Sequence, residues 1–164
     1  MIVLLRVDNR LLHGQILEAW IPRLRAEKVV VADDEAAGSP LAHAALSLCA
    51  PPGLPVEIVP LRAANFAALA GDRTRILVLV REVADLARAR AAGLTARIAP
   101  SVNVGNVHFA PGRRSVSPSV FLSAEELAVL KSMEAEGYAV EVRAIPSEPP
   151  TGMTEIERRY GLAR

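Results

Sequence analysis

A chain of 164 residues, 51% apolar and 23% charged, is long enough for one globular domain with a substantial core, and too apolar for a disordered chain. Nineteen basic residues against eighteen acidic leave a net charge of +1, which gives no electrostatic footprint for nucleic acid or for an anionic membrane surface. A single cysteine, Cys49, excludes an internal disulfide, and no apolar run approaches the roughly 20 residues that span a bilayer.

Short apolar runs alternate with helical patterns. Residues 2–7 read as a first strand and 14–25 as a first helix, with Ile16, Leu17, Trp20, Ile21 and Leu24 at helical spacing and a kink or early end at Pro22. Residues 28–32 read as a second strand. Ser39-Pro40, a capping residue followed by proline, opens a second helix that Pro51-Pro52-Gly53 stops. A third strand at 56–59 leads through Pro60 into a third helix to about residue 70. The run 75–80 is nearly continuous in branched apolar residues, as expected of a buried strand, and a fourth helix at 82–92 ends at Gly93. Residues 95–99 read as a fifth strand, Ser123-Ala124-Glu125-Glu126 as a capping box opening a fifth helix, and 138–145 as a last strand whose alternation suggests an edge. This alternation of strands and helices predicts parallel pairing through right-handed crossovers, an open α/β fold. The proline-rich, charged stretch 147–164 reads as a tail beyond the domain of residues 1–146, either a short docked helix or a mobile end.

The chemistry concentrates between the first strand and first helix, in Asp8-Asn9-Arg10-Leu11-Leu12-His13-Gly14-Gln15. Open α/β sheets bind ligands outside the carboxyl ends of their strands. A helix start there offers unpaired N–H groups and a positive dipole end, which attract an anion. Arg6 and Arg10 add guanidinium groups suited to phosphate oxygens, and Gly14 lets backbone approach closely. An ordinary imidazole is mostly neutral near pH 7, so His13 has a nitrogen free to attack phosphorus. Asp8 either holds the other nitrogen or orients Arg10 in an ion pair. The competing structural reading is a histidine that only caps the helix; the density of polar groups in so short a turn argues against it.

Asn103-Val104-Gly105-Asn106-Val107-His108 reads as a polar loop after the fifth strand, a second wall of the same crevice or an ordinary turn, with His108 a weaker candidate than His13. Asp33-Asp34-Glu35 could bind a cation or cap a helix. Arg113-Arg114 reads as a solvated face or as docking for an acidic partner, and His43, mid-helix among alanines, as structural. Cys49, in an apolar stretch, reads as a buried thiol in a reducing cytosol. The N-terminus lacks a signal-peptide pattern, and there is no nucleotide motif and no ligand spacing for a metal.

Taken together, Arg6-Val7-Asp8-Asn9-Arg10-Leu11-Leu12-His13-Gly14-Gln15, Trp20, Val30-Val31-Ala32-Asp33-Asp34, Val102-Asn103-Val104-Gly105-Asn106 and the stretch 137–146 resemble the IIB component of the mannose/fructose/sorbose family of the sugar phosphotransferase system. The resemblance implies an open, mainly parallel sheet flanked by helices on both faces, with an antiparallel last strand. It implies that His13 is phosphorylated by a IIA phosphohistidine and passes the group to a sugar at membrane IIC and IID subunits. Asp8 and Arg10 carry over as catalytic neighbours and Asn103 and Gly105 as phosphate-binding residues, beside Arg6, Gly14 and Gln15, which their place at the turn already marks as phosphate-binding. No metal and no cofactor is implied. The expected place is the cytoplasm, at the periphery of a membrane permease. The family pattern commonly has Asp where this chain has Asn9, which removes a negative charge from the loop. The alternatives are a regulatory phosphorelay and a phosphate-binding module uncoupled from transport.

Overall fold

The computed structural model describes residues 1–164. Its seven-stranded sheet has the order β3-β2-β4-β1-β5-β8-β9. The strands are β1 (Ile2–Asp8), β2 (Lys28–Ala32), β3 (Val56–Val59), β4 (Ile76–Val80), β5 (Ser101–Asn106), β8 (Ala139–Val142) and β9 (Thr151–Gly152). All pairs are parallel except β8 with β9. A separate antiparallel hairpin, β6 (Arg114–Ser117) with β7 (Val120–Leu122), follows β5.

Alternation along the strands sends side chains to two cores. Val30, Val78, Val80, Val102, Val104, Val140 and Val142 enter the larger one. It is covered by α4 (Phe66–Gly71), α5 (Val83–Ala91), α6 (Ala124–Ala135) and α7 (Met153–Leu162), through Phe66, Leu86, Leu130 and Ile156 among others. Val29, Val31, Leu77 and Leu79 face the smaller core, which Ile16, Trp20 and Ala36 close from the segment 14–24 and from α2 (Asp34–Gly38). Helices therefore flank both faces, as expected.

Three local features depart from the sequence reading. Residues 95–99 form turns, with Ile98 and Ala99 N–H groups donating to Thr95 O, and the fifth strand begins only at Ser101. The stretch 138–145 supplies β8, which is interior and parallel to β5; the edge and the antiparallel pairing belong to β9, within the segment set apart as a tail. The first helix opens as a π-helical stretch (Ile16–Trp20) and continues as α1 (Ile21–Leu24), with Pro22 in the first turn of the α-helical part and Arg25 left-handed at its end. Proline is tolerated in a first helical turn, where its missing N–H costs least.

Residues 153–162 form α7, whose Met153 and Ile156 are buried in the larger core. Cys49 is exposed rather than buried, because α3 (Pro40–Cys49) lies on the outside with no buried residue; Leu41, His43 and Leu48 are exposed with it. The Ser123–Glu126 capping box forms as its residues predict. Replacing Ile156 by Ala should cost about 2–5 kcal/mol in urea unfolding through the cavity it leaves. A loss below about 0.5 kcal/mol would mean that α7 contributes nothing to the domain's stability.

Candidate active site

Arg6, Asp8, Asn103 and Glu141 lie on the side of the sheet opposite the larger core. Register puts Arg6 beside Asn103 and Asn103 beside Glu141, so three neighbouring strands carry one polar row. The Arg6 guanidinium is fully buried. Its Nη1 donates to Asn103 Oδ1 and to Arg143 O at 3.1 Å, and its Nη2 donates to Asp8 Oδ2 at 3.0 Å and to Ala144 O at 3.1 Å. It lies 4.9 Å from the centre of the Trp20 ring, whose Nε1 also donates to Ala144 O. Asn103 Nδ2 in turn donates to Glu141 Oε1 and Arg143 O.

Gly105 is part of this cage. A Cβ built there would sit 1.9 Å from the Arg6 guanidinium carbon, so only glycine lets the two meet. Arg6, Asn103 and Gly105, expected to contact phosphate, are instead buried behind the histidine. Every donor of Arg6 but Nε is taken by protein acceptors. The misplacement follows from the late start of β5, which puts the 103–106 motif inside a strand and not in a loop.

Asp8 ends β1 and is fully buried, yet it accepts hydrogen bonds on both oxygens. Oδ2 takes Arg6 and the His13 ring nitrogen Nε2, each at 3.0 Å; Oδ1 takes the Arg10 backbone N–H at 3.0 Å and Arg10 Nε at 3.4 Å. Burial alone would raise the carboxyl's pKa. The His13 hydrogen bond, the Arg6 charge and the Arg10 N–H outweigh it and hold Asp8 below the ordinary carboxylate value. Both sequence alternatives for Asp8 are therefore realised together: it holds the ring and orients Arg10. An ionised carboxylate only accepts, so in the neutral ring the facing Nε2 carries the hydrogen and Nδ1 is the nitrogen with the lone pair.

The turn after Asp8 closes through Leu11 N–H to Asp8 O at 2.9 Å. Leu11 has φ +55, unusual for a branched residue, and is held there because it and Leu12 bury their side chains in the smaller core. Those anchors lift His13 to the surface, where its side chain is 18% exposed. Ile16 and Leu17 N–H groups donate to His13 O, so the N–H groups of Gly14 and Gln15 precede the helix's first bonds. Arg10 Nη2 donates to Gln15 Oε1 at 3.2 Å, which spreads the guanidinium over the helix start beside His13. The structure thus brings Asp8, Arg10, His13, Gly14 and Gln15 together.

Asn9 ties this turn to its neighbours. Its Nδ2 donates to Arg81 O at 2.9 Å and to Glu82 Oε1 at 3.0 Å, and its Oδ1 accepts from the His108 backbone N–H. An aspartate would present an oxygen to both of those acceptors, so Asn9 and Glu82 match each other, a pairing the sequence alone does not reveal. His108 contributes its backbone and its ring is exposed. Of the acidic cluster, Asp33 caps α2 and pairs with Arg81, while Asp34 accepts from Leu61 N and pairs with Arg88. Arg113 is taken up by Glu82 and Glu126 within the chain. No group of three or more His, Cys, Asp or Glu side chains is arranged to hold a metal ion.

Fold and site together define an open α/β protein that presents one histidine, gripped by a buried carboxylate, at the carboxyl edge of a parallel sheet. Residues 2–161 match the family model described as PTS system sorbose subfamily IIB component, and the chain belongs to that family. It is 29% identical over 156 residues to the N-acetylgalactosamine-specific phosphotransferase enzyme IIB component 2 of Escherichia coli (strain K12), covering 94% of this chain and 98% of that one. It is likewise 29% identical over 157 residues to the PTS system mannose-specific EIIAB component of Escherichia coli (strain K12), covering 93% of this chain and 47% of that protein, so it spans about half the length of that relative. The crystal structure of the IIBSor domain of the sorbose permease from Klebsiella pneumoniae superposes with a TM-score of 0.84 at 22% identity, over 96% of this chain and 97% of that one, a likeness of fold.

Two consequences of the cage can be measured. Gly105→Ala should displace Arg6 and cost about 3–5 kcal/mol in chemical unfolding, the range for breaking a buried ion pair. An unchanged midpoint would remove Gly105 from the account. Because the Asp8 pKa is lowered on folding, its stabilisation is full above the ordinary carboxylate value of about 3.9 and disappears as pH falls from there through the lower folded value. Asp8→Asn, less stable at neutral pH, should therefore converge on the parent in unfolding curves taken at falling pH; a constant gap would contradict the assignment.

Proposed function

We propose that the chain is a phosphocarrier of a sugar phosphotransferase system. His13 takes a phosphoryl group from the phosphohistidine of a IIA protein or domain and passes it to a sugar held by membrane IIC and IID subunits. The observation that carries this reading is the Nε2–Asp8 hydrogen bond at 3.0 Å, which leaves Nδ1 as the nitrogen with a free electron pair. In the first step Nδ1 attacks phosphorus, the donor's P–N bond breaks, and the electron pair returns to the donor imidazole. In the second, a sugar hydroxyl attacks, the P–Nδ1 bond breaks, and the hydroxyl proton is released. Positioning and charge stabilisation are most of what such a transfer requires.

Arg10 supplies the charge, since its guanidinium is braced by Asp8 and Gln15 with N–H groups to spare, and the N–H groups of Gly14 and Gln15 precede the first helical bonds beside it. Asp8 fixes the ring and balances positive charge that gathers on it as the P–N bond forms. Arg6, Asn103 and Gly105 act through Asp8. No helix is long and apolar enough to cross a membrane, so the sugar would be reached by docking onto membrane subunits. Relatives named for mannose, N-acetylgalactosamine, sorbose and fructose support a hexose or amino-hexose as the acceptor.

Incubation with phosphoenolpyruvate and the upstream carriers should place an acid-labile, base-stable phosphoryl group on His13, located by mass spectrometry under alkaline conditions. His13→Ala should take up none, and Arg10→Ala should accept it about 100-fold more slowly, the scale of losing one charge-stabilising donor. Labelling of His13→Ala at the parent's level would overturn the reading.

A further inference from the structure

Five large apolar side chains stand well out of the surface: Met1, Leu41, Leu48, Phe109 and Leu162. Only Phe109, 67% exposed, lies in a loop leaving a strand that borders β1 at its carboxyl end. That loop, residues 107–113, joins β5 to the hairpin. It is closely braced. The His108 N–H donates to Asn9, in the same turn as Asp8 and Arg10. Arg113 Nη1 donates to His108 O at 2.9 Å, and the Arg113 guanidinium is fixed by Glu82 and Glu126, each at 3.0 Å. The Arg113 N–H closes a turn onto Ala110 O, with Gly112 left-handed at φ +85. The Phe109 ring meets Phe121 edge-on, with centres 5.7 Å apart and planes at 82°.

A rigid, exposed aromatic beside an active centre has the properties of a binding anchor: large apolar area, little side-chain freedom left to lose, and a polar rim around it. Asn9 links the loop to the turn that carries His13, so Phe109 and the imidazole stand on segments tied to each other.

We propose that Phe109 is the apolar anchor on which the phosphoryl-donor domain seats while it delivers its phosphoryl group to His13. This rests on the phosphocarrier reading above. The donor is favoured over the sugar-bearing acceptor by charge: it brings a phosphoanion to Arg10, which is half-exposed on the same rim, whereas a neutral sugar brings none. The complementary surface is an aliphatic or methionine-lined hollow next to the donor's phosphohistidine.

The test is the rate of phosphoryl transfer from the phosphorylated IIA donor to the full chain, measured against donor concentration. Phe109→Ala should raise the half-saturating donor concentration about tenfold while the saturating rate stays within about twofold, the effect expected of an interface anchor. Phe109→Tyr, which keeps the ring, should stay near the parent, and both variants should melt with it. Transfer from the phosphorylated chain onward to sugar should be unchanged. An unchanged half-saturation, a fall in the saturating rate, an equal loss in transfer to sugar, or a lowered melting temperature for Phe109→Ala would each overturn the proposal. If the parent itself takes no label on His13, the phosphocarrier reading fails and this inference fails with it; if the parent is labelled and Phe109→Ala behaves identically, only the anchor is lost.

Discussion

The buried ion pair between Arg6 and Asp8 is the interaction on which the site depends. Removing two charges from water costs several kcal/mol for each, and is tolerated only where the remaining donors and acceptors are satisfied. Here the guanidinium reaches an amide oxygen, two backbone carbonyls and the carboxylate, with an indole face beside it. Only Nε lacks a partner. Burial pulls the Arg6 pKa down while Asp8 pushes it back up, and the Arg6 charge adds to the His13 hydrogen bond in holding the Asp8 pKa down. A hydrophobic pair of similar volume could fill this space at equal or better stability. It could not present a fixed carboxylate to an imidazole. The pair is therefore best understood as the cost of setting the His13 tautomer and holding its plane, with Asp8 as the shared element between core and surface.

The legible part of the fold was what periodicity and caps encode. The first four strands follow from dense apolar runs, and α6 from a complete capping box. The errors came where local pattern and tertiary pairing disagree. Residues 95–99 have strand-like composition but precede Pro100, and the strand that pairs with β1 carries Asn103 and Gly105 in its middle. Those residues look like a turn because Asn and Gly usually make turns. Here one accepts from a buried guanidinium and the other makes room for it, demands visible only once β1 and β5 are side by side. The same absence of tertiary information placed Arg6 at the phosphate. By contrast Asp8, Arg10, His13, Gly14 and Gln15 lie within eight positions of one another, so their assembly needed only a strand, a turn and a helix start. The hairpin of β6 and β7 gave no comparable signal, and α2 showed only the acidic cluster whose Asp33 caps it.

Around this centre, long-range polar ties replace apolar packing as the means of fixing the loops. Asn9 joins the ends of β1, β4 and β5; Arg81 holds the end of β2 through Asp33; Arg113 binds the loop after β5 to the start of α6. Each tie pairs a planar amide or guanidinium with acceptors of fixed direction, and so sets angle as well as distance. Exposed ion pairs contribute little stability singly. Linked through the turn that carries the histidine, they serve instead to keep the rim in one shape. Asn9 fits this scheme because its neighbour just beyond β4 is the acceptor Glu82, and an amide can donate to Glu82 while accepting from His108 in the loop after β5.

The imidazole stands apart from the chain's main groove. A groove of about 540 Å³ runs along the sheet face, lined by Trp20, Arg75, Glu141 and Arg143 among others, and His13 is not among its walls. The histidine stands on the open rim, on the far side of the Arg6 cage. For a reaction with a small diffusing substrate this would be a poor arrangement, since the partly exposed ring lies outside the chain's own groove. For the proposed transfer between macromolecules it is the arrangement that geometry demands. A donor imidazole must come within bonding reach of Nδ1, and a recessed ring could not be met by another protein's side chain. Exclusion of water then falls to the partner's surface. What this chain must provide is a ring that is already oriented when the partner arrives, and the buried carboxylate beneath it provides that without enclosing it.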